Sequence, residues 1–415
     1  MGPRQAAVFA EAQRSCSHCG KSRSRRGHHY IVYRTLFGKL RLQSPRFARC
    51  TCQEQTTGTF SPLPEFLQER TAPELLYLET KWAALMSYGM TTDLLADVLP
   101  LGEEVGTAAI RQNVKRIAER GEQELGKERF LFLDEGTGEP ENLSDWKAPL
   151  AVGIDGGYIH ARDRKSRQEG WFEVIVGKSI ETEEKSKCFA FVQRFDTKPK
   201  RRLFAVLKAQ GMKNNQQVTF LSDGGETVRN LPLNLHPQGE HVLDWFHVTM
   251  RLTVMGQMMQ GMKESDGPKI VQSLKEELES LKWHLWNGNI LPALKIVDGL
   301  QIRLDVDRMS EKRKRLLDAV RDFGNYISAN QQYIVDYGDR DRNQERIATG
   351  FVESAVNQVV SKRMVKKQQM TWTEQGAHLL LQIRTRVINK DLRKDFCRWY
   401  PGLPMTEEKP MASAA

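Results

Sequence analysis

The chain has 415 residues, 40% hydrophobic and 27% charged, which allows two or three domains and a sizeable core. Lys and Arg outnumber Asp and Glu by 62 to 52, for a net charge of +10, a balance that suits a polyanionic partner. No run approaches the ~20 apolar residues of a membrane span, and MGPRQAAVFAEAQRS lacks the apolar centre of a secretory signal, so a cytoplasmic protein with no membrane partner is expected.

Of six cysteines, Cys16, Cys19, Cys50 and Cys52 crowd the start of the chain, while Cys188 and Cys397 stand alone. In a cytoplasmic protein this clustering favours a metal over disulfides. Residues 10–60 read as a small basic segment, with short strands expected at YIVYRTLF and KLRLQ. Four thiolates can hold one Zn²⁺ tetrahedrally in a ribbon, and a metal would be the staple of so small a core. Cys50-x-Cys52 is one residue tighter than such ribbons prefer, so His18, His28 or His29 remain alternative ligands. The charge around the cysteines fits a DNA-binding module. TTGTFSPLP then marks a boundary.

Over residues 65–133 apolar residues recur at three- and four-residue intervals, which predicts helices in APELLYLETKWAALMSYGM, MTTDLLADVLP and VGTAAIRQNVKRIAERGEQEL. Thr91, Thr92 and Asp93 offer caps for the second, and the layout is helix-turn-helix-like, although an ordinary three-helix bundle gives the same pattern. After the linker EGTGEPENLSDWKAP come three strands of an antiparallel meander, APLAVGIDGGYIHAR, GWFEVIVGKSI and KCFAFVQRF. A helix at RRLFAVLKAQGM, a fourth strand at QQVTFLSDGG, a short helix at TVRNLPLNL and a fifth strand at EHVLDWF complete a mixed α/β sheet over residues 148–247. Residues 248–347 are helical throughout, residues 348–395 hold a helix from about Gly350 to Lys367 and further helices, and 396–415 form a tail.

The acidic residues repeat one setting. Asp155 in AVGIDGGYIH and Asp223 in TFLSDGGETV each stand at a strand end before Gly-Gly; Asp244 ends the fifth strand in HVLDWFH, and Glu353 begins a helix in TGFVESAVNQVVSKR. Asp-Gly-Gly alone is turn chemistry. Carboxylates on neighbouring strands, closed by one from a helix, supply the hard oxygen ligands that a pair of Mg²⁺ or Mn²⁺ ions needs for phosphodiester displacement. Glycines after Asp155 and Asp223 would leave room for a nucleic-acid backbone. His247, three residues after Asp244, is either a group near the reacting phosphate or a buried structural histidine. At four-residue steps Asn357 and Ser361 share the face of Glu353. Lys362, Arg363, Lys366 and Lys367 form a basic helix end suited to phosphates, and Trp372 either stacks on a flipped base or packs in the core.

On these residues the chain resembles bacterial insertion-sequence transposases with a DDE catalytic domain of the ribonuclease H-like fold, and within them the ISKra-type proteins of the Mutator-related branch. Asp223 lies 68 residues after Asp155 and Glu353 lies 130 after Asp223, a gap filled by the helical insertion; Asp244-Trp245-Phe246-His247 fits the branch's signature after strand five, and GFVESAVNQVVSKRMVKKQQMTWT is the most family-specific run. The resemblance implies an α/β ribonuclease H-like mixed sheet with an all-helical insertion, preceded by a helical DNA-binding region and a small zinc ribbon. It implies catalytic Asp155, Asp223 and Glu353 as Mg²⁺ ligands, with Asp244 and His247 beside them, and Mg²⁺-dependent strand cleavage and strand transfer on double-stranded DNA, at element terminal inverted repeats and at target DNA. A nucleoid-associated homo-oligomer, at least a dimer, follows from the need to hold two ends. A ribonuclease H-like nuclease and a catalytically dead DNA-binding regulator are the alternatives.

Overall fold

A computed structural model describes residues 2–50, 52, 58–67, 69–102, 105–129, 132, 149–162, 170–181, 185–213, 216–236, 238–262, 267–306, 310–365 and 370–403. The expected basic contacts Lys366 and Lys367, most of the linker before residue 149 and most of the expected tail lie outside them. The chain divides into two compact units, residues 1–120 with 386–415, and residues 121–385. The helix at the end of the chain therefore goes with the N-terminal unit, where the sequence grouped it with the Glu353 helix.

In the first unit, α1 (Pro3–Ala12) precedes an antiparallel hairpin of β1 (Arg25–Thr35) and β2 (Gly38–Ala48), to which β3 (Thr59–Phe60) adds two residues. Both hairpin strands outrun the short ones expected. Alternation explains the packing: Ile31, Tyr33 and Leu42 face inward onto Ala6, Ala10 and Leu63, the last from α2 (Pro62–Phe66), while intervening residues face solvent. Helices α3 (Pro73–Leu85), α4 (Tyr88–Val98) and α5 (Thr107–Glu124) follow as expected. The cap of α4 differs from the reading of Thr91, Thr92 or Asp93: Ser87 accepts from the Met90 N–H at 3.2 Å, and Thr91 is buried a turn inside the helix.

The second unit is built on a five-stranded sheet of order β6-β5-β4-β7-β8, where β4 is Leu150–His160, β5 Trp171–Ile180, β6 Ser186–Val192, β7 Val218–Ser222 and β8 Gly239–Leu243. The first three strands form the antiparallel meander, and β7 and β8 run parallel to β4. One face, through Val152, Ile154, Ile175 and Phe191, packs on Leu203, Phe204 and Leu207 of α6 (Pro199–Ala209). After the short α7 (Glu226–Arg229) and β8 come α8 (Trp245–Gly261), α9 (Pro268–Trp286), α10 (Ile290–Leu304), α11 (Glu311–Asn330) and α12 (Tyr337–Arg342). Their apolar core runs into the sheet through Leu221, Val242 and Leu243.

The Glu353 helix, α13 (Gly350–Val356), lies on the other face of the sheet, and glycine permits the approach. A Cβ on Gly153 would stand 2.0 Å from Val352 Cγ2, and one on Gly157 3.5 Å from Val356 Cγ1. From Asn357 to Val365 the helix continues in π geometry, so the predicted four-residue stepping from Glu353 through Asn357 to Ser361 does not hold. Arg384, in α14 (Glu374–Ile388), donates its Nε–H to the Val359 carbonyl at 2.6 Å and an Nη2–H to that of Gln358, capping carbonyls of the widened turns. The chain then enters α15 (Leu392–Trp399), whose Phe396 packs edge-on against Tyr77 of α3 in the first unit. Among the described residues no helix is long and apolar enough to cross a membrane.

Candidate functional site

Strand register creates the site. Ser222 pairs with Ile154 on one side and Leu243 on the other. The next residue in each strand direction is an aspartate, so Asp155, Asp223 and Asp244 stand in a row across β4, β7 and β8, neighbouring strands being ~4.8 Å apart. Asp155 shares its face with Gly153 and Gly157, the two glycines under α13, because side chains alternate with a period of two. The helix they admit carries Glu353.

Asp155 and Asp223 each spend one oxygen on the backbone: Oδ1 of Asp155 accepts from the Gly156 N–H at 2.7 Å, and Oδ1 of Asp223 from that of Gly225 at 2.9 Å. Among the described residues neither they nor Glu353 forms a salt bridge. Burial raises the Asp155 carboxyl above its usual range; the Gly156 N–H and His247 oppose this, and the charges of Asp223 and Glu353 add to it. The three carboxylates thus sense one another, but no choice of one oxygen from each brings all three within 4.8 Å.

Asp244 differs in kind. It is fully buried, and both oxygens are engaged: Oδ1 accepts from the backbone N–H of Phe246 and of Thr349, each at 3.0 Å, and Oδ2 from His247 Nδ1 at 2.6 Å and from the Thr349 hydroxyl. It caps α8 and ties that helix to the residue preceding α13. Expected as a catalytic carboxylate, it has no oxygen left for a ligand and instead positions His247. The Asp244 hydrogen bond raises the His247 pKa, burial opposes it, and Asp155 and Asp223 reinforce the rise.

The glycines after the two aspartates are not alike: Asp155, expected at a strand end, lies inside β4, with Gly156 and Gly157 continuing the strand beyond it, whereas Gly224 belongs to the turn after β7. Gly224 adopts φ +79°, and a Cβ there would stand 2.6 Å from both Asn330 Oδ1 and Leu243 Cδ1. A Cβ on Gly157 would meet Val356 of α13 at 3.5 Å, an ordinary contact. Two further contributors have no clear mark in the sequence. Glu173 on β5 pairs with Tyr158, on the face of Gly156 rather than that of Asp155: its Oε1 would be 3.3 Å from a Cβ on Gly156, and burial, with the charge of Asp223, raises its pKa. Its one signal is a lone acid in the apolar run WFEVIVG. His241 Nε2 lies 2.8 Å from the Ser222 hydroxyl, whose oxygen accepts the Gly224 N–H at 3.2 Å and so fixes the turn presenting Asp223; nothing local in the sequence marks that pair.

The expected DNA contacts fare unequally. Lys362 is exposed. Arg363 is 0% exposed, its guanidinium 5.5 Å from the Trp372 ring centroid, and Trp372 is itself buried, its backbone bonded to His160 and Arg162. Both therefore belong to the core, and the expectation that they touch DNA is corrected by their burial.

In the first unit the Sγ atoms of Cys16, Cys19, Cys50 and Cys52 all lie within 4.8 Å of one another, with Cys16 to Cys52 at 3.6 Å and Cys19 to Cys50 at 3.4 Å. A tetrahedron of Zn–S bonds separates its sulfurs by ~3.8 Å, so the donor set fits zinc without a histidine. Backbone N–H groups of Cys19 and His18 lower the Cys16 thiol to about 6, while the neighbouring thiols raise Cys52 to about 12. Sulfurs competing for protons in this way are those a divalent cation would satisfy together.

Glu122, Asp196 and His378 also cluster within 4.8 Å, but Arg202 joins them. Its Nη1 reaches Glu122 Oε1 and its Nε reaches Asp196 Oδ2, both at 2.9 Å. Burial alone would raise Glu122; hydrogen bonds from His378 and Arg202 instead hold it at about 2. The guanidinium supplies the positive charge a metal would bring, so the cluster reads as a structural hub. Compared with known proteins, the chain matches no family model and no curated protein.

Proposed function

We propose that the protein is a DDE transposase that binds insertion-sequence ends and cuts and joins DNA strands. The observation that carries the reading is the register-built row of Asp155 and Asp223, closed from the face of the sheet by Glu353. The sheet order, three antiparallel strands followed by two parallel to the first, is the one a ribonuclease H-like domain requires, and the helical insertion between β8 and α13 accords with the same resemblance.

Asp155, Asp223 and Glu353 would hold two Mg²⁺ or Mn²⁺ ions, which when bound supply Lewis acidity and neutralise charge in an in-line displacement at phosphorus. The three carboxylates suit such ions because they are partly exposed, repel one another and, among the described residues, pair with no protein cation. Asp244 holds the His247 ring by Nδ1, and the imidazolium form is available to pair with a phosphate oxygen or to carry a proton at Nε2. The Cys₄ ribbon would hold structural zinc and, with the helices after it, bind the element end. At least two copies would be needed to hold two ends.

The deciding experiment offers a pre-cut element end together with target duplex and Mg²⁺. Joined products support the transposase; hydrolysis without joining favours a nuclease; duplex binding with neither reaction favours a regulator. Asp155→Asn should abolish both reactions while leaving duplex binding within about twofold.

A further inference from the structure

Between Lys21 and Arg49 the chain carries nine Lys and Arg and no Asp or Glu. β1 and β2 occupy most of this stretch. One face of the hairpin is covered by α1 and α2. The other is open to solvent: Tyr30 and Val32 on β1 stand opposite Gln43 and Arg41 on β2, and all four are exposed. Phe37 at the turn is 80% exposed. Arg41 has no carboxylate partner among the described residues; its guanidinium lies 5.0 Å from the Tyr30 ring centroid, and His28 meets the same ring edge-on at 5.5 Å.

We infer that the solvent face of the β1–β2 ribbon docks into the major groove of double-stranded DNA, with the Arg41 guanidinium, held over Tyr30, as its central contact. This rests on the reading of the chain as a DNA-processing protein and adds which surface meets the duplex and how.

Charge complementarity selects the partner, since a stretch of nine cations without an acid is suited to phosphates. Width selects the groove: two strands ~4.8 Å apart, with their side chains, fill a major groove ~12 Å wide and cannot enter a minor groove ~6 Å wide. The deep, narrow major groove of duplex RNA excludes the same ribbon. A single-strand platform needs aromatic faces free to stack, whereas the Tyr30 ring is already met by Arg41 and His28. Stacking on Tyr30 also limits the freedom of the guanidinium, so less is lost when its fork meets a phosphate or a guanine edge.

The experiment uses the full chain, zinc-loaded, and a labelled duplex of mixed sequence about 30 base pairs long, with affinity measured by fluorescence anisotropy across salt. Arg41→Gln should weaken duplex binding several-fold and lower the slope of log affinity against log salt by about one. Tyr30→Ala should weaken binding in the same direction, while Tyr30→Phe, which keeps the ring, should bind as the original chain does. Methyl green, which occupies the major groove, should displace the protein where a minor-groove ligand does not. Unchanged zinc content of the variants shows that the ribbon is folded. If the original chain binds duplex but Arg41→Gln leaves affinity and salt slope untouched, or a minor-groove ligand displaces the protein, the ribbon assignment is overturned and the proposed function stands. Preference for single-stranded DNA also overturns the assignment; failure of the original chain to bind any DNA overturns the proposed function with it.

Discussion

Val352 lies directly on Gly153: a Cβ at that glycine would stand 2.0 Å from Val352 Cγ2 and 2.9 Å from the Phe351 ring. A strand position without a side chain thus sets how closely the Glu353 helix approaches the sheet. Gly153→Ala must push α13 outward, and the expected loss is about 1–3 kcal/mol, the usual cost of overpacking. Gly157→Ala meets Val356 at 3.5 Å, an ordinary contact, and should be nearly neutral. Chemical denaturation of both variants checks the contrast; equal stabilities would mean that α13 is not seated as described.

Burial and the charges of Asp223 and Glu353 hold the Asp155 carboxyl above its ordinary value of 3.8. The folded state therefore binds that proton more tightly than the unfolded chain, and stability falls as pH rises from the ordinary value through the folded one. At pH 7 without divalent ions, Asp155→Asn is predicted to raise the melting temperature, by roughly 2–4 °C for each kcal/mol of repulsion relieved. Near pH 3 the gain should vanish. Mg²⁺ should stabilise the original chain more than the variant. A variant that melts lower at pH 7, or gains as much from Mg²⁺, would contradict this account.

For His247 the shift has the same sign but a different cause. The Asp244 hydrogen bond raises its pKa above 6.5, so its contribution to stability is fully present below 6.5 and is lost as pH rises through the folded value. Histidine NMR titration should find one ring with a midpoint above 6.5, and Asp244→Asn should lower it. The same change leaves buried donors short of an acceptor, at about 1–3 kcal/mol. A His247 midpoint that does not move would remove Asp244 as its positioning partner.

The cysteine cluster predicts one zinc per chain by elemental analysis. Cys16→Ser and Cys50→Ser should each lose it. Cys188→Ser should keep it, because that thiol is buried in β6, where burial raises its pKa to about 11. Full zinc retention in Cys16→Ser would exclude the site.

Local chemistry carried much of the fold. The β-rich runs between polar turns gave β4, β5 and β6, and the helical periods gave the helices of the insertion, because each depends on residues close in sequence. Boundaries that rest on partners elsewhere did not follow. Arg384 bonds the Val359 carbonyl of the π turns from 25 residues on, and Arg363 is buried beside Trp372 while Lys362 is exposed; no local pattern marks these pairings.

The sequence alone marked the candidate residues: four clustered cysteines, two Asp-Gly-Gly runs, an Asp and His three apart, and a Glu at a helix start. Only tertiary structure decided what each does. Strand register, a non-local pairing, set Asp155 beside Asp223; it also placed Asp244 next in the row, where burial and four donors make it a strut rather than a ligand. Packing also ranked the glycines around the aspartates: α13 fills the space at Gly153, before Asp155, and Asn330 and Leu243 fill it at Gly224, while Gly157 keeps room for a side-chain atom, because an atom missing from a strand is room only where a neighbour happens to lie.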